Sequence, residues 1–225
     1  MGLFHLSRRN LATSVTTLAI AGLLPLSIAS RASASTEITL VSPADASANV
    51  NSGKWKVLDV RPVPPLDYLS GHLPKAVHIS EQAFRGPNGT LPYQIWPADD
   101  LANLLSKAGV SNKDSVIVYS DGTNVLGATL VAYILEKSGV PKVAILDGGF
   151  SGYKAAELPT TKRFQNYKIV PFKTTSVNNI SISLKELLPL VGKPNVVIVD
   201  PRPKAQYEGG DRPNLHPQRP HSRRN

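Results

Sequence analysis

Short apolar runs alternate with helical patterns along the middle of this chain, and that alternation restricts the possible folds more than any other feature. The mostly apolar runs, rich in β-branched residues, are 57–60, 76–79, 115–119 and 143–146. Large apolar residues recur at helical spacing between some of them, at 97–107 and 124–138. Short apolar runs of this kind are typical of strands buried on both faces. The pattern predicts an α/β fold, a parallel sheet with helices on both faces.

Capping residues set the expected helix ends. Ser42 followed by proline predicts a short helix through Val50. The 97–107 helix has acids in its first turn, Lys107 in its last and a glycine just beyond, all of which favour a helix there. A second glycine, Gly139, closes the 124–138 helix, and the paired glycines after the 143–146 strand predict a turn into a short helix that begins at Phe150.

An apolar run that ends in an Asp-x-Arg motif occurs twice in the sequence. The run 57–60 contains Asp59 and is followed by Arg61, and the run 196–199 is followed by Asp200 and Arg202. The two aspartates are about 140 residues apart, which indicates an internal repeat of one domain length. A Ser183 to Glu186 capping box predicts a helix through residue 190 ahead of the second copy.

Further motifs accompany the first copy. Tyr68 precedes Gly71-His72-Leu73-Pro74-Lys75-Ala76, and the last strand ends in Leu146-Asp147-Gly148-Gly149-Phe150. Together these segments resemble the rhodanese family of sulfurtransferases, over roughly residues 36–210. The resemblance implies a rhodanese-like parallel sheet with helices on both faces. The repeat implies a tandem protein similar to the two-module thiosulfate and mercaptopyruvate sulfurtransferases, with the second α/β module incomplete in this chain. We therefore expect a module at 36–158, a linker at 159–178 and a truncated second module with an aberrant basic tail at 179–225.

The family resemblance also implies a catalytic loop, and here that loop is degenerate. Family members carry sulfur on a cysteine that follows the central strand, whereas this sequence contains no cysteine. The equivalent loop is Ser120-Asp121-Gly122-Thr123-Asn124, and the resemblance places the missing cysteine at Ser120 or Asp121. A serine hydroxyl cannot hold a transferable sulfane sulfur, and the carboxylate supplies only a charge. We therefore expect no sulfur transfer.

The remaining motif residues have structural interpretations. Asp59 with Arg61, and Asp200 with Arg202, match family residues that fasten the strand end to a neighbouring loop. Gly71 and His72 belong to the loop motif, where the histidine is expected to bond to the backbone, and Asp147, Gly148 and Gly149 form the last-strand turn. No pair of histidines has the ligand spacing of a metal site, so we expect neither metal nor cofactor.

A noncatalytic function remains open beside the lost reaction. The alternative hypothesis is a rhodanese-like binding module that recognises a partner protein or a small sulfur anion. A glycine-containing turn that opens a helix can bind anions. Asp121 would repel an anion from inside this turn.

Charge is concentrated at the two ends of the chain. The formal net charge is +9, but residues 1–34 hold three arginines and no acid, and residues 211–225 hold four arginines and one acid. The body between them is only weakly basic, which argues against a nucleic-acid partner.

The first 34 residues are typical of an export signal. Arg8-Arg9 precedes a modest apolar stretch at 18–28, and Ala32-Ser33-Ala34 fits a cleavage site. The apolar stretch is too short for a membrane span, so we expect no membrane association after cleavage. We predict a periplasmic or extracellular bacterial protein, exported by the twin-arginine or the general secretory route.

The tail has no apolar period, so composition predicts disorder from residue 211 onward. With suitable synonymous codons, residues 214–225 read one base later encode Gly-His-Ile-Pro-Gly-Ala, which matches the loop motif at 71–76. We therefore hypothesise a frameshift or interruption within the second module. A natural basic tail is the alternative.

Overall fold

A computed structural model describes residues 38–88, 91–123, 125–175 and 182–209 of the chain. Its strands are β1 (Ile38–Val41), β2 (Trp55–Asp59), β3 (Ala76–His78), β4 (Arg85–Asn88), β5 (Leu91–Ile95), β6 (Ser115–Tyr119) and β7 (Lys142–Leu146). Its helices are α1 (Pro43–Ser52), α2 (Leu66–Ser70), α3 (Ala98–Lys107), α4 (Leu126–Lys137), α5 (Gly149–Ala155), α6 (Leu184–Leu187) and α7 (Lys204–Tyr207). Within these described ranges, 3-10 helices lie at Glu81–Phe84 and Leu188–Leu190.

The main sheet is parallel, as the apolar runs predict. Among the described residues it has five strands in the order β1-β7-β6-β2-β3, and every neighbouring pair is parallel. Strand β2 lies between β6 and β3, with Asp59 opposite Tyr119 on one side and His78 on the other. The carboxyl ends of β2 and β6 therefore meet at one edge of the sheet.

Helices cover both faces of this sheet. Leu58 and Val118 belong to one hydrophobic cluster, together with residues of α3 and α4 such as Leu105 and Leu135. Residues of opposite orientation in the same strands, such as Ile117, belong to a second cluster with residues of α1 and α5. Alternate strand residues thus enter two separate cores, which explains why the runs are apolar at consecutive positions.

The predicted helix ends are largely confirmed. The Ser42 side chain accepts a hydrogen bond from the Asp45 backbone N–H, and proline occupies the first helical position of α1. Gly109 and Gly139 follow α3 and α4 with positive φ angles of 71° and 89°. Glycine adopts these angles without steric cost, so it ends a helix efficiently.

Two further regions were not predicted. Strand β1 forms an edge of the main sheet, and β4 and β5 form a separate antiparallel pair. That pair contains Pro87 and Pro92, which argue against a strand in the sequence because proline lacks the N–H for a central ladder. A two-stranded ribbon exposes its edges and tolerates both prolines.

Residues 159–175, expected to be a linker, lie against the module and are called the strap here. His72 and Thr161 exchange both backbone hydrogen bonds, each at 2.9 Å. The Tyr167 hydroxyl donates to the Lys75 carbonyl at 2.6 Å. Ser106 Oγ donates to the Val170 carbonyl at 2.6 Å. The strap is thus held by hydrogen bonds at several points along its length.

The segment 182–209 agrees only partly with the sequence. Ser183 and Glu186 form the predicted capping box at the start of α6. The strand predicted at 196–199 is wrong: these residues are in no strand, and Val197 and Val199 are 86% and 76% exposed. An apolar run becomes a buried strand only when neighbouring strands pair with it, and the described residues supply none here.

Other predictions lie outside the described residues: the export signal at 1–34 and the tail at 211–225. Of the helices that are described, none is long and apolar enough to cross a bilayer. The described ranges also contain no group of three or more His, Asp or Glu side chains placed to hold a metal ion.

Candidate functional site

A buried ion pair closes the carboxyl end of β2. The Asp59 carboxylate accepts from Arg61 Nη2 at 2.6 Å, from Arg61 Nε at 2.9 and 3.1 Å, and from the Arg61 backbone N–H at 3.1 Å. The two side chains are 0% and 3% exposed. Arg61 Nη2 also donates to the Gly71 carbonyl at 2.8 Å. The pair therefore fastens the strand end to the loop that contains the Gly-His motif.

Tyr119, at the end of β6, completes this network. Its hydroxyl donates to Asp59 Oδ2 at 2.7 Å and accepts from the Leu73 backbone N–H at 3.2 Å. Burial raises the pKa of Tyr119 well above its usual range, and the charge and hydrogen bond of Asp59 raise it further. Tyr119 therefore stays protonated and serves as a donor at neutral pH.

Arg61 is held as a cation. Burial alone would lower its pKa, but the hydrogen bonds and charge of Asp59 outweigh burial, so the pKa of Arg61 is raised. Its guanidinium carbon lies 4.3 Å from the centre of the Phe150 ring, a cation–π contact that links β2 to α5. Within the described residues, this network fastens the end of β2 to the Gly-His loop and to α5.

His72 is fully buried and bonds to the backbone. Its Nδ1 lies 2.8 Å from the Tyr68 carbonyl oxygen and its Nε2 lies 3.0 Å from the Arg163 carbonyl oxygen. The imidazole stacks on the Tyr68 ring with a centroid distance of 3.7 Å. The loop motif is therefore tied both to α2 and to the strap.

The degenerate loop follows β6 and leads into α4. Its backbone is held by α5: the Phe150 N–H donates to the Ser120 carbonyl at 2.9 Å, and the Ser151 N–H donates to the Asp121 carbonyl at 2.8 Å. Asp121 Oδ1 accepts from the Thr123 backbone N–H at 3.0 Å. These bonds fix the loop without using the side chain of Ser120. Asn124 lies outside the described residues.

Glycines of two turns interlock beneath this loop. Gly122 has a φ of +106°, and a Cβ there would lie 2.0 Å from the Gly148 carbonyl oxygen. Gly149 has a φ of +56°, and a Cβ there would lie 2.5 Å from the Gly122 nitrogen. Only glycine fits this approach, which explains the paired glycines after Asp147.

A cavity of about 560 Å³ opens beside the loop. The residues that line it are Val60, Pro62, Glu81, Arg85, Ser120, Asp121, Leu126, Gly127, Thr129, Leu130 and Tyr133. The structure thus brings the predicted loop residues to a concave site at the carboxyl ends of β2 and β6, where parallel sheets usually bind ligands. Asp59 and His72 do not line it.

Sequence reasoning missed the charged pair in this lining. Glu81 Oε2 accepts from Arg85 Nη2 at 2.8 Å. The spacing of four residues is the usual signal of such a pair on a helix. Here the segment is a 3-10 helix followed by β4, and no helical apolar period surrounds it.

The second Asp-x-Arg motif repeats the first one's local geometry. Arg202 Nη2 lies 2.6 Å from Asp200 Oδ2, and Arg202 Nε lies 2.9 Å from both carboxylate oxygens. The side chain of Arg202 is 56% exposed and that of Asp200 is 27% exposed. The hydrogen bonds of the Arg202 side chain and backbone N–H lower the pKa of Asp200. The ion pair is therefore a property of the local sequence, while its burial depends on the module.

Comparisons with known proteins agree with this geometry. The family model described as a rhodanese-like domain matches residues 42–156. A putative thiosulfate sulfurtransferase of Synechococcus elongatus is 48% identical over 193 residues, which cover 85% of this chain and 58% of that protein. The 3-mercaptopyruvate sulfurtransferase of Escherichia coli K12 is 24% identical over 167 residues, which cover 71% of this chain and 59% of that protein.

The fold has solved counterparts. The crystal structure of SseA, a 3-mercaptopyruvate sulfotransferase from Escherichia coli, superposes with a TM-score of 0.64 at 23% identity, over 76% of this chain and 68% of that one. That likeness confirms the predicted α/β architecture. The chain spans about three fifths of the length of the curated relatives named above. The match to the family model covers about half of the sequence, and the chain therefore belongs to the rhodanese-like domain family.

Proposed function

We propose that this chain is a rhodanese-like sulfurtransferase family protein whose module does not itself transfer sulfur. The observation that carries the proposal is the loop after β6, where Ser120 and Asp121 stand in a chain with no cysteine. A persulfide requires a thiolate, whose sulfur accepts and releases the transferred atom. Neither an alkoxide nor a carboxylate oxygen performs that exchange.

A noncatalytic binding module is the second candidate, and the cavity favours it. The loop retains its backbone bonds to α5 and still borders a space of about 560 Å³. A site of this size fits a small molecule. The candidate partners are such a ligand, including a small sulfur anion, or a protein segment.

A sulfur-transfer assay tests the first candidate. The protein is incubated with thiosulfate and cyanide, and separately with 3-mercaptopyruvate and cyanide, and thiocyanate is measured. We expect no turnover by the natural chain. Turnover by the purified natural protein would show that the proposal is wrong.

Restoring a cysteine supplies the matching gain-of-function test. We expect Asp121→Cys or Ser120→Cys to gain about 32 Da after thiosulfate treatment, the mass of one sulfane sulfur, and to release it to cyanide. Ser52→Cys is the control, because it places an exposed thiol at the carboxyl end of α1, where the dipole does not favour a thiolate. If neither loop variant takes up sulfur, the loop is not the position of the missing cysteine.

Export and a tandem arrangement complete the proposal. Arg8-Arg9 and Ala32-Ser33-Ala34 support cleavage of a bacterial export signal. The repeated Asp-x-Arg geometry supports a second module. Amino-terminal sequencing of the protein from a periplasmic or culture fraction tests export, with Ser35 as the expected first residue. A full-length product in the cytoplasm alone would contradict it.

A further inference from the structure

Lysines surround Tyr167 where the strap passes the amino-terminal ends of β2 and β3. Lys56 Nζ lies 4.4 Å from the centre of the Tyr167 ring, and the Tyr167 hydroxyl donates to the Lys75 carbonyl at 2.6 Å. Tyr167 also packs against Gly109, just beyond α3, because a Cβ on that glycine would lie 2.5 Å from Tyr167 Cβ. The lysine surface, as it is called here, consists of Lys54, Lys56, Lys75, Lys107 and Lys168, of which all but the half-buried Lys56 are exposed.

The carboxylates of the described residues leave this surface strongly positive. The ion pairs of the module involve arginines, and none of the five lysines forms an ion pair with a described carboxylate. Asp114 is the neighbour of Lys54, because Trp55 pairs with Ser115, and its carboxylate accepts from the Ser111 N–H at 2.7 Å. Five cations and this one anion leave a formal charge of about +4, which attracts an anionic partner.

Lys75 has a backbone conformation that its residue type does not favour. Its φ is +61°, in the left-handed region that glycine adopts without steric cost and other residues adopt rarely. Its Nζ donates to the Val50 carbonyl in α1 at 2.9 Å, which directs the side chain toward the amino-terminal end of the sheet. A lysine at a position suited to glycine indicates that its side chain has a role beyond forming the turn.

The arrangement and type of these cations favour an extended acidic peptide over other anions. The lysines come from the starts of two strands, the end of a helix and the strap, so carboxylates spaced along a chain contact more of them than one compact anion does. Lysine lacks the planar fork with which arginine binds phosphate bidentately, which disfavours nucleic acid. Ile169, next to Lys168, is 72% exposed, and an apolar side chain of a peptide would cover it.

From these observations we propose that the lysine surface binds an extended acidic segment of a partner protein. Its carboxylates pair with the lysines, and an apolar side chain between them covers Ile169. The inference goes beyond the proposed function, because the lysine surface shares no residue with the lining of the cavity beside the degenerate loop and its binding needs no thiol.

A short acidic peptide tests this proposal on the natural chain. The probe is Asp-Glu-Leu-Asp-Glu, capped at both ends, and binding is followed by amide chemical shifts and by calorimetry at low ionic strength. We expect saturable shifts at Lys56, Lys75 and Tyr167. We expect the affinity to fall as sodium chloride is added, because salt screens exposed charges. The uncharged peptide Asn-Gln-Leu-Asn-Gln, capped in the same way, should give no saturable shift.

A double variant isolates the charge of the surface. Lys54→Gln combined with Lys168→Gln removes two exposed cations, and we expect the acidic peptide to bind roughly tenfold more weakly to it. Lys185→Gln combined with Lys193→Gln is the matched control, since both of these lysines are exposed and lie outside the module. The control has the same net charge as the first variant, and its affinity should stay that of the natural chain.

Lys75→Gly separates binding from folding. Glycine adopts the φ of +61° without steric cost, so the melting temperature should not fall, whereas the affinity for the acidic peptide should. A lower melting temperature with an unchanged affinity would show that Lys75 serves the fold alone.

Three further results would overturn the proposal. The first is the absence of any saturable shift with the acidic peptide. The second is equal affinity of the Lys54→Gln, Lys168→Gln double variant and the natural chain. The third is tighter binding of a single-stranded oligonucleotide or of phosphatidylglycerol vesicles than of the peptide at the same resonances, which would assign the surface to another class of partner. None of these results depends on the thiocyanate assay, so the two proposals fail separately.

Discussion

The two Asp-x-Arg pairs allow a test of what burial adds to the same local ion pair. Asp59→Asn keeps the shape of the side chain but removes its charge, and it turns an NH2 group toward donors of Arg61 and Tyr119. Arg61 is then a cation at 3% exposure that has lost its paired carboxylate and keeps the Gly71 carbonyl, the Phe150 and Tyr119 rings and the charge of Asp67.

Leaving one charge of a buried pair uncompensated costs about 3–5 kcal/mol. For a module of this size that cost lowers the melting temperature by roughly 10–20 °C. The free energy of unfolding of a typical domain is only about 5–15 kcal/mol, so the variant is expected to fold with a small free energy of unfolding.

Asp200→Asn is the matched control, because it removes the same charge from the same local hydrogen-bond pattern in an exposed pair. We expect it to leave the melting temperature and the urea midpoint unchanged. Both variants are compared with the natural chain by urea unfolding and by thermal unfolding followed by circular dichroism. If Asp59→Asn unfolds within about 1 kcal/mol of the natural chain, the buried network does not stabilise the module as argued.

Three further outcomes are expected. Unfolded tyrosines ionise above about pH 10 while folded Tyr119 remains protonated, so the free energy of unfolding falls as the pH rises beyond that point. Urea unfolding from neutral to alkaline pH should show a smaller fall for Tyr119→Phe than for the natural chain. An equal fall would contradict the raised pKa of Tyr119. Gly122→Ala places a methyl group 2.0 Å from the Gly148 carbonyl oxygen and should cost more than about 2 kcal/mol, whereas Gly53→Ala, in open space at φ +72°, should cost about 1 kcal/mol. Ending the chain before the strap, at Leu158, should lower the urea midpoint, because the backbone pairing at His72 is lost; an unchanged midpoint would show that the strap does not support the module.

The sequence predicts the strands and helices that have a recognisable apolar pattern or a helix-capping residue. Runs such as 115–119 are apolar at consecutive positions because their side chains are buried in the hydrophobic clusters on both faces of the sheet. The amino-acid sequence alone shows that pattern. The Asp59–Arg61 pair is also predictable, since two residues of separation suffice to form it, as the exposed Asp200–Arg202 pair demonstrates.

The parts that escaped prediction depend on tertiary context. Glu81 and Arg85 enter the cavity lining because a 3-10 helix and a proline-containing ribbon return the chain to the sheet edge, and neither element has a periodic pattern. The strap is polar and aperiodic, and the groups that hold it belong to residues distant in sequence, such as the His72 backbone, the Lys75 carbonyl and the Ser106 hydroxyl. Residues 196–199 show the reverse case, because a strand-like run stays irregular where no neighbouring strand is described.

The bonds from the Phe150 and Ser151 amides to the loop carbonyls have a consequence for how such a module changes over time. They bind main-chain oxygens, which every residue type provides, so these two hydrogen bonds do not depend on which side chains occupy positions 120 and 121. A substitution that removes a nucleophilic side chain from this loop therefore leaves these main-chain hydrogen bonds in place. By the same logic, one codon change could install a reactive group on a support that is already assembled.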